Sequence, residues 1–362
     1  MLVTIVGGLV LTLGAVYLAY VLNLWSLRQY VKRVATAIRA FHSLYTMPQD
    51  MIDSFLESYT LFEEEAVTPE NTHKIQNYYV VLNHLCAMGE VEKMYIPPLM
   101  DDKGGIMRNQ SLYEEKMMRD LELRPGMKVL DVGCGRGRIA AHVAGHSGAS
   151  VTGINIEASQ VANAIENSVD LGLQDRLKFK IGDFNSPLDF QNETFDGLYE
   201  VQALSYIRGG NFDPLFKEMF RVLKPGAKVC FLEWVSLPKY DSEKKEHREL
   251  LRQVKPLLGA VFTPSVEDIS SALERAGFKV KLLEIPSIDG FQYPLVQRAA
   301  SYFLFMSALV NTLCFLRILP AYFKVLMDRF NKDGDVLIEG DRMRLWTTTY
   351  QFVAEKPKSA SS

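Results

Sequence analysis

The sequence predicts an α/β fold in which helices cover both faces of a mostly parallel β-sheet. Two observations support this prediction: short β-rich runs alternate with helical stretches between residues 128 and 235, and the first of these runs ends in a glycine-rich turn. Such alternation is typical of βαβ units, because parallel strands need a crossover connection between them. The chain has 362 residues, which is enough for one large domain with additional segments at its ends.

Composition and charge narrow the classes of function. The formal net charge is −3, whereas a nucleic-acid-binding protein usually carries a strong basic excess. The cysteines form no C-x-x-C pair and lie in apolar or glycine-rich surroundings, so we expect buried thiols rather than a disulfide framework or a zinc site. They are Cys86, Cys134, Cys230 and Cys314. The sequence therefore predicts no nucleic-acid partner and no metal.

The first 25 residues contain no charged side chain. About 20 apolar residues suffice for a helix to cross the hydrocarbon core of a bilayer, so we predict a transmembrane anchor over residues 1–25. Basic residues follow at Arg28, Lys32, Arg33 and Arg39, which assigns the rest of the chain to the cytosolic side. Two alternatives stay open: a buried core helix, and a cleaved signal peptide, although the latter usually begins with basic residues.

Residues 26–108 are predicted to form linker helices and an N-terminal cap. An amphipathic helical pattern runs from residue 26 to about residue 60 and is broken near Met47-Pro48. A polar, loop-like stretch follows at residues 63–75, and an aromatic-rich stretch at residues 76–100. We therefore expect this region to precede the sheet rather than to contribute strands to it.

Residues 109–287 carry the alternating pattern and are predicted to form the main α/β domain. The domain opens with a helix over Asn109–Leu123. The predicted strands are Lys128–Val132, Ser150–Ile154, Leu177–Ile181, Phe195–Val201 and Lys228–Val235, with later candidates at Lys279–Ile285 and Thr347–Glu355. The predicted helices between the first strands are Ile139–Ala144, Ala158–Leu171 and Leu215–Leu223.

A helical insertion is predicted before the last strand, within a C-terminal region at residues 288–362. Its most apolar part, Tyr302–Leu316, is bounded by Arg298 and Arg317. This run is short for a membrane crossing. We expect either a helix that packs on the domain and dips into one leaflet, or an ordinary buried helix. Such an insertion could act as a lid over a site at the sheet edge.

The strongest local signal is the stretch Val129–Gly137, which reads VLDVGCGRG. An apolar strand runs directly into a glycine-rich turn, and a helix follows. In an open α/β sheet this turn lies at the carboxyl end of the strand, where nucleotide-like ligands bind. Glycines there allow positive φ and a close approach of the backbone to the ligand. The G-x-G-x-G spacing has no Walker lysine after it, so a phosphate cradle is not indicated.

This stretch resembles motif I of the class I S-adenosylmethionine-dependent methyltransferases. Later runs follow the order of that family: VTGIN at 151–155, GDF at 182–184, FDGLYEVQ at 195–202 and RVLKPGA at 221–227. The resemblance implies a Rossmann-like, seven-stranded, mostly parallel sheet with a reversed last strand. It also implies that residues 109–287 bind S-adenosyl-L-methionine.

The resemblance further implies cofactor roles for the matched positions. The turn would lie beside the methionine part of the cofactor, and Asn155 stands where the family usually binds the ribose hydroxyls with an acid. Asp183 and Phe184 would frame the adenine, with a loop-capping role as the alternative for Asp183. The implied cofactor-binding residues are Asp131, Gly133, Cys134, Gly135, Gly137, Asn155, Ile156, Gln160, Asp183 and Phe184.

More specific features resemble the sterol C24-methyltransferase family and its triterpene-methylating relatives. They are the run Glu233-Trp234-Val235, Asn155 with the following Gln160, and an aromatic C-terminal strand that closes on Lys356-Pro357. The chain departs from that family at residues 89–97, which replace an aromatic box. It departs again at Gln202 and Tyr206, where the family has an acid and a histidine. The resemblance implies C-methylation of a sterol or triterpenoid alkene by an enzyme of the endoplasmic reticulum membrane.

Methylation of an alkene produces a carbocation, which aromatic ring faces stabilise in a dry pocket. The candidate aromatic residues are Tyr78, Tyr79, Tyr95, Tyr199, Tyr206 and Trp234. Tyr95 and Tyr206 are preferred because they lie in segments that match the substrate region of the family. Ordinary packing is the alternative for each.

A base must finally remove a proton from the cation. Glu200 is the predicted base, because positions 200 and 202 alternate onto the same side of a strand. Its carboxylate would then replace the one missing at Gln202. A solvated or cofactor-side carboxylate is the alternative for Glu200, and His84 and Glu233 are weaker candidates for the base.

Two other functions stay open from the sequence. The first is methylation of another lipid, such as a quinone precursor or a phospholipid headgroup, with an oxygen or nitrogen acceptor. The second is a membrane-tethered cofactor-binding protein without activity, suggested by the changes at Gln202 and Tyr206. The sequence also leaves open whether the chain forms a homo-oligomer.

Overall fold

The structure is a computed structural model that describes residues 31, 35–36, 38–62, 67–88, 93–331 and 334–358. The predicted anchor at residues 1–25 lies outside these ranges. Among the helices that the described residues form, none has both the length and the apolar character that a membrane crossing requires.

The domain is built on a seven-stranded sheet with the strand order β3-β2-β1-β4-β5-β7-β6. Strands β1 to β5 pair in parallel, whereas β7 runs antiparallel to both of its neighbours, β5 and β6. The predicted mostly parallel sheet with a reversed last strand is therefore confirmed. The strands are β1 (Lys128–Val132), β2 (Ser150–Asn155), β3 (Leu177–Ile181), β4 (Phe195–Val201), β5 (Leu223–Ser236), β6 (Lys279–Glu284) and β7 (Trp346–Glu355).

Helices pack on both faces of this sheet and over one of its edges. They are α1 (Gln49–Ser58), α2 (Thr72–Met88), α3 (Ile106–Asp120), α4 (Arg138–Ser147), α5 (Ala158–Asp170), α6 (Asp213–Val222), α7 (Lys245–Leu258), α8 (Val266–Arg275), α9 (Tyr293–Phe315), α10 (Tyr322–Asn331) and α11 (Gly334–Met343). One face of the sheet buries apolar side chains of α6 and α8, and the other those of α3 and α4.

A separate apolar cluster covers the carboxyl ends of the parallel strands, and we call it the cap. It contains buried side chains of residues 44–82 and of α9 and α10, and Tyr206 also belongs to it. Its centre is aromatic: Tyr78 contacts the rings of Phe55 and Phe62, with centroids 5.8 and 4.9 Å away. The cap therefore closes the sheet edge at which the glycine-rich turn emerges.

The predicted break at Met47-Pro48 is confirmed, because residues 38–45 are helical and α1 begins at Gln49. The polar stretch at 63–75 was predicted to be a loop, but α2 already begins at Thr72. Thr72 explains this start, since its hydroxyl donates to the Thr68 carbonyl at 2.6 Å and steadies the first turn.

The helical insertion is longer than its apolar run indicated, because α9 spans Tyr293–Phe315. Val310 is buried against the cap, whereas Leu304 and Phe315 are exposed. The helix therefore packs on the domain with one side only. Helices α7 and α8 were not predicted, because the apolar residues of each form only a narrow stripe among polar ones. In α7 the buried part of this stripe includes Val254.

Candidate active site

A pocket opens at the carboxyl ends of β1, β2 and β4, between the sheet and the cap. The empty space within it, including the solvent-open mouth, is about 850 Å³. The described residues that line it are Ile75, Tyr79, Lys93, Met94, Tyr95, Gly133, Cys134, Gly135, Arg136, Arg138, Ile139, Asn155, Ile156, Gln160, Asp183, Phe184, Asn185, Val201, Gln202, Ala203 and Tyr206. Most of the predicted site residues therefore meet in one place.

The glycine-rich turn forms one wall of this pocket. The amides of Gly133 and Cys134 both donate to the Ile154 carbonyl at 3.0 Å, which fixes the turn to the end of β2. Gly133 has φ +78°, and a Cβ there would lie 2.7 Å from the Ala203 Cβ. Only glycine fits such a position without strain. Gly133, Cys134 and Gly135 line the pocket as predicted.

Two residues predicted to touch the cofactor lie behind the wall instead. Gly137 does not line the pocket; it precedes α4 with φ +67°, and a Cβ there would lie 2.6 Å from the Phe179 ring. Its requirement for glycine comes from helix–strand packing. Asp131 is buried and accepts a hydrogen bond of 2.9 Å from the Tyr199 hydroxyl. Burial raises the pKa of Asp131 to about 7. Neither residue belongs to the described lining of the pocket.

A series of side-chain amides forms the second wall. The Asn155 Nδ2 donates to Gln160 Oε1 at 2.6 Å, and the Gln160 Nε2 donates to Asn83 Oδ1 at 2.9 Å. Glu157 caps α5 by accepting from the amide of Gln160 at 2.8 Å. Because Nδ2 of Asn155 is engaged, Oδ1 is the atom that Asn155 can offer to the pocket. An amide oxygen accepts hydrogen bonds from hydroxyl groups as a carboxylate does.

Asp183 lies on the same side of the pocket and has two protein partners. Its Oδ1 accepts from the amide of Asn185 at 2.8 Å, and its Oδ2 accepts from Arg208 at 3.1 Å. Asp183 thus caps its own loop, which was the alternative interpretation, and also lines the pocket beside Phe184. Ile156 lines the pocket as well.

Aromatic side chains form the wall that faces the glycine-rich turn. The Tyr79 hydroxyl donates to the Tyr206 hydroxyl at 3.2 Å, and the two rings have centroids 6.1 Å apart. Burial, with further contributions from Tyr79 and Tyr78, raises the pKa of Tyr206 well above its ordinary value. The phenol is therefore neutral. Tyr78 is buried behind Tyr79 rather than in the lining.

Tyr95 borders the pocket but directs its hydroxyl away from it. The hydroxyl donates to Glu114 at 2.7 Å, and burial followed by the charge of Glu114 raises the pKa of Tyr95. Glu114 is fully buried and also pairs with Lys93 at 2.5 Å and with His142. This network fixes the segment at residues 93–95 to α3 and α4. Tyr95 can present its ring to the pocket, but its hydroxyl is engaged in the network.

Gln202 connects the pocket floor to two distant segments. Its Nε2 donates to the carbonyls of Ile96 and Thr348 at 2.9 and 2.6 Å, and its Oε1 accepts from the amide of Ile96 at 3.2 Å. These bonds use the donors and the acceptor of the amide. Gln202 therefore holds the pocket wall in position rather than acting as a free polar group.

The structure places Glu200 beneath the pocket floor, so its predicted role as a base that touches the substrate was wrong. Gln202 lies past the end of β4 with φ +54°, and the alternation of strand side chains does not extend to it. Glu200 is fully buried and accepts from the amide of Ala203. Burial and the neighbouring Glu233 raise its pKa well above the ordinary value.

Glu233 is the second carboxyl group of this buried pair, and burial raises its pKa as well. Its oxygens accept from the amides of Leu204 and Trp234 at 2.6 and 2.9 Å. Two adjacent buried carboxyl groups do not both ionise, so the pair keeps one proton. The pair supports the turn Leu204–Tyr206, which carries Tyr206. His84, Tyr199 and Trp234 also lie outside the lining.

Sequence reasoning missed three cationic side chains of the lining, Lys93, Arg136 and Arg138. Arg136 lies within the glycine-rich turn and Arg138 directly after it, so the motif itself contained the signal for both. Lys93 lies in a segment without a recognisable pattern. Positive charges beside the turn suit a ligand that carries a carboxylate.

Comparisons with known proteins agree with this geometry. A family model described as a methyltransferase domain matches residues 123–277. The chain is 30% identical to a sterol 24-C-methyltransferase of Gibberella zeae, over 68% of this chain and 70% of that protein. It is 31% identical to the botryococcene C-methyltransferase of Botryococcus braunii, over 69% of this chain and 67% of that protein.

Among solved structures, the cyclase SpnF superposes with a TM-score of 0.62 at 20% sequence identity. The match covers 82% of this chain and 99% of that one. At this identity the likeness establishes the fold alone.

Proposed function

Since the chain belongs to the sterol C24-methyltransferase-like family of S-adenosylmethionine-dependent methyltransferases, we propose that it methylates a carbon–carbon double bond of a sterol or triterpenoid. The relatives named for sterol and botryococcene C-methylation support this substrate class. The single observation that carries the proposal is that the hydrogen-bonded rings of Tyr79 and Tyr206 line the same pocket as the glycine-rich turn.

The pocket fits S-adenosylmethionine, the cofactor of this family. The turn at Gly133–Gly135 presents backbone where a Cβ could not be placed at Gly133, and Asn155 offers an acceptor for ribose hydroxyls. Arg136 and Arg138 border the same wall and suit the cofactor carboxylate. When bound, the cofactor supplies an electrophilic methyl group on a sulfonium centre. We further propose that Asp183 and Phe184 contact the adenine.

The residues of the aromatic wall suit a carbocation. Attack of the alkene π electrons on the methyl group that a bound cofactor would supply would leave a positive charge on the substrate, which would then lose a proton to give the methylated product. A desolvated ring face stabilises such a charge by about 2 kcal/mol. Tyr206 can do this without adding to the cation, because its raised pKa keeps it a phenol rather than a phenolate.

The acids near the pocket do not compete with this wall. Among the described residues that line the pocket, Asp183 is the acidic one, and it is paired with Arg208. Glu114, Glu200 and Glu233 are buried within hydrogen-bonded networks outside the lining. A cation formed against the aromatic wall therefore does not meet an unpaired carboxylate of the described lining.

Two variants of Tyr206 test the proposal. We expect Tyr206→Leu to lower turnover by roughly 30-fold, the equivalent of about 2 kcal/mol, with the affinity for the cofactor unchanged by calorimetry. Tyr206→Phe keeps the ring and should stay within about threefold of the parent, since it loses only one hydrogen bond. Equal losses in both variants would show that the ring face is not what the reaction needs.

Product analysis distinguishes the substrate classes. Radiolabelled cofactor is incubated with the enzyme and a total lipid extract, and the products are separated and weighed by mass spectrometry. The proposal is supported if the label appears in neutral lipids whose mass exceeds that of their precursors by one methylene group. Label confined to headgroups or quinone precursors would establish the alternative acceptor. Cofactor binding without any labelled product would indicate an inactive protein.

We also propose that residues 1–25 anchor the enzyme in the endoplasmic reticulum membrane with the catalytic domain in the cytosol. The uncharged segment and the basic residues that follow it support this orientation. Alkaline carbonate extraction of isolated membranes should leave the full chain in the membrane pellet. Release into the supernatant would contradict the anchor.

A further inference from the structure

One side of α9 exposes a continuous apolar stripe to solvent. Leu304, Phe305 and Phe315 are 70%, 66% and 85% exposed, and Leu309 and Leu316 continue the stripe. Positions three and four residues apart lie on the same side of a helix. Single exposed apolar residues are ordinary, but a row of this kind marks an interaction surface.

One exposed polar residue interrupts the described stripe between Leu304 and Leu316. Thr312 is the polar residue within it, and the Thr312 hydroxyl donates to the Ala308 carbonyl at 2.8 Å. No charged residue occurs from Ala299 to Leu316; the nearest are Arg298 before this run and Arg317 after it. On the solvent-facing side of a helix, charged side chains usually interrupt such a row of apolar residues.

Neighbouring elements carry further exposed apolar side chains. Ile318 follows α9, Val325 lies on α10, and Ile38 and Phe41 lie on the helical residues 38–45; all are exposed. The Tyr322 hydroxyl donates to the Leu44 carbonyl at 2.6 Å, which joins α10 to the helix at residues 38–45. We define the apolar face by these side chains: Ile38, Phe41, Leu304, Phe305, Leu309, Phe315, Leu316, Ile318 and Val325.

Two arginines and one ion pair, Lys324 with Asp328 at 2.9 Å, border the apolar face. Arg39 and Arg317 are exposed at its border, and the chain reaches residues 38–45 directly after the basic residues Arg28, Lys32 and Arg33. Basic residues at the border of an apolar surface attract anionic lipid headgroups. The uncharged residues 1–25 precede this same helix in the sequence, so an anchor there would deliver this side of the domain to the bilayer.

The apolar face also adjoins the pocket through the cap. Phe323 and Leu326 of α10 and Val310 of α9 are buried in the cluster that contains Tyr206, and Tyr79 packs against that cluster. The face and the aromatic wall are therefore two sides of one apolar body. A substrate dissolved in the bilayer would meet the protein on the side where it borders the cap.

We propose that the apolar face docks on a lipid bilayer, with Leu304, Phe305 and Phe315 inserted below the headgroups and α9 lying along the membrane plane. From Leu304 to Leu316 the stripe is about 18 Å long at 1.5 Å per residue, too short to cross the hydrocarbon core but suited to its boundary. Delivery of substrate by this docking rests on the proposed function; the docking itself does not.

Fluorescence quenching tests the docking in the full chain. The protein is reconstituted into phosphatidylcholine vesicles with or without brominated acyl chains, and the emission added by Phe315→Trp is compared with that added by Val169→Trp. Val169 is a matched control, 60% exposed on α5. We expect brominated lipid to reduce the added emission of Phe315→Trp by roughly half and to leave Val169→Trp unchanged.

Other outcomes overturn the proposal. Equal quenching at both positions, or none at position 315, would show that the face does not enter the bilayer. A blue-shifted emission of Phe315→Trp before vesicles are added would show that a second copy or the chain's own N-terminal segment covers the face. None of these measurements requires turnover, so they are independent of the proposed reaction.

A kinetic comparison tests the delivery role. We expect the double variant Phe305→Glu/Phe315→Glu to lose turnover with a sterol embedded in vesicles and to keep it with the same sterol in detergent micelles. Val169→Glu should match the parent in both assays. Any other pattern for the double variant would contradict delivery from the membrane side.

Discussion

The two walls of the pocket are held together in different ways. The cofactor wall consists of short segments that each follow a strand of the sheet, at Gly133–Gly135, Asn155–Ile156 and Asp183–Asn185. Their contacts run mostly to the next strand or the next turn, as in the bonds from Gly133 and Cys134 to Ile154. The aromatic wall instead combines α2, residues 93–95 and the turn that carries Tyr206.

The aromatic wall therefore depends on buried polar side chains that join distant parts of the chain. Gln202 reaches Ile96 and Thr348, and Gln292 donates to the carbonyls of Ile96 and Pro97 at 3.2 and 2.9 Å. A buried amide of this kind costs free energy when its partners are missing. The difference indicates that the cofactor wall depends on the helices above it mainly through Asn83 of α2, whereas the aromatic wall depends on several buried polar side chains.

The largest expected effect concerns Glu200 and Glu233, the buried carboxyl pair beneath the turn Leu204–Tyr206. Glu200 keeps a proton in the folded protein that it loses in the unfolded chain, because burial and Glu233 raise its pKa. The folded state then binds more protons. The stability that this group contributes is present below the ordinary carboxyl range and is lost as the pH rises toward the raised pKa.

Glu200→Gln keeps a neutral hydrogen-bonding group but removes this titration. Relative to the parent, the variant should gain stability as the pH rises, by up to about 1.4 kcal/mol per pH unit. Urea unfolding of both proteins at several pH values between 6 and 9 (about three pH units) measures the difference. The exposed Glu166→Gln is the control. A difference between Glu200→Gln and the parent that does not change with pH would contradict the assigned protonation.

A smaller effect is expected for Gln202→Glu, which restores the acid of the related family. In this chain the substitution removes the two donor bonds to Ile96 and Thr348 and places a carboxylate against their carbonyls. We expect the free energy of unfolding to fall by about 3 kcal/mol at neutral pH. Gln174→Glu, on an exposed residue, is the control. An unfolding free energy within about 0.5 kcal/mol of the parent would mean that Gln202 does not hold the wall.

The difference between the local contacts of the cofactor wall and the long-range contacts of the aromatic wall explains which parts of the molecule the sequence could predict. The strands β1, β3 and β4 match their predicted bounds, and the turn at Gly133 lies where the motif indicated, because strand, turn and helix signals are local. Asn155, Gln160 and Asp183 were found through the same local order. Glu200 was misplaced because the positive φ of Gln202 ends the strand alternation, and no pattern in the sequence reports that backbone angle.

The cap was the least predictable part for a related reason. Lys93 and Tyr95 reach the pocket because Glu114 of α3 binds both, and a contact across about 20 residues leaves no periodic signal in either segment. The exposed stripe of α9 was visible only as an apolar run. Its division into a buried side at Val310 and an exposed side at Phe305 depends on where α10 packs.

The smallest expected effect tests the cofactor wall at Asn155. Asn155→Asp replaces the Nδ2 donor by a carboxylate oxygen, which would face Gln160 Oε1. The Gln160 amide can turn to donate Nε2 instead, and Asn83 can turn in the same way to donate to Gln160. This concerted reversal keeps one hydrogen bond between residues 155 and 160 and one between residues 160 and 83.

The cost of the reversal falls on the last member of the series. The turned Asn83 amide gives up a long bond of 3.5 Å to Glu157 and brings its oxygen toward that carboxylate, so the free-energy cost of the substitution lies there rather than beside the cofactor. Because the carboxylate at 155 still offers an acceptor to a ribose hydroxyl, we expect the cofactor Kd by calorimetry to stay within about threefold of the parent, less than one ordinary hydrogen bond. Gln160→Leu removes the member that must turn, so Asn155→Asp in that background should weaken binding more than in the parent. Equal effects in both backgrounds would show that the amides do not act as a series.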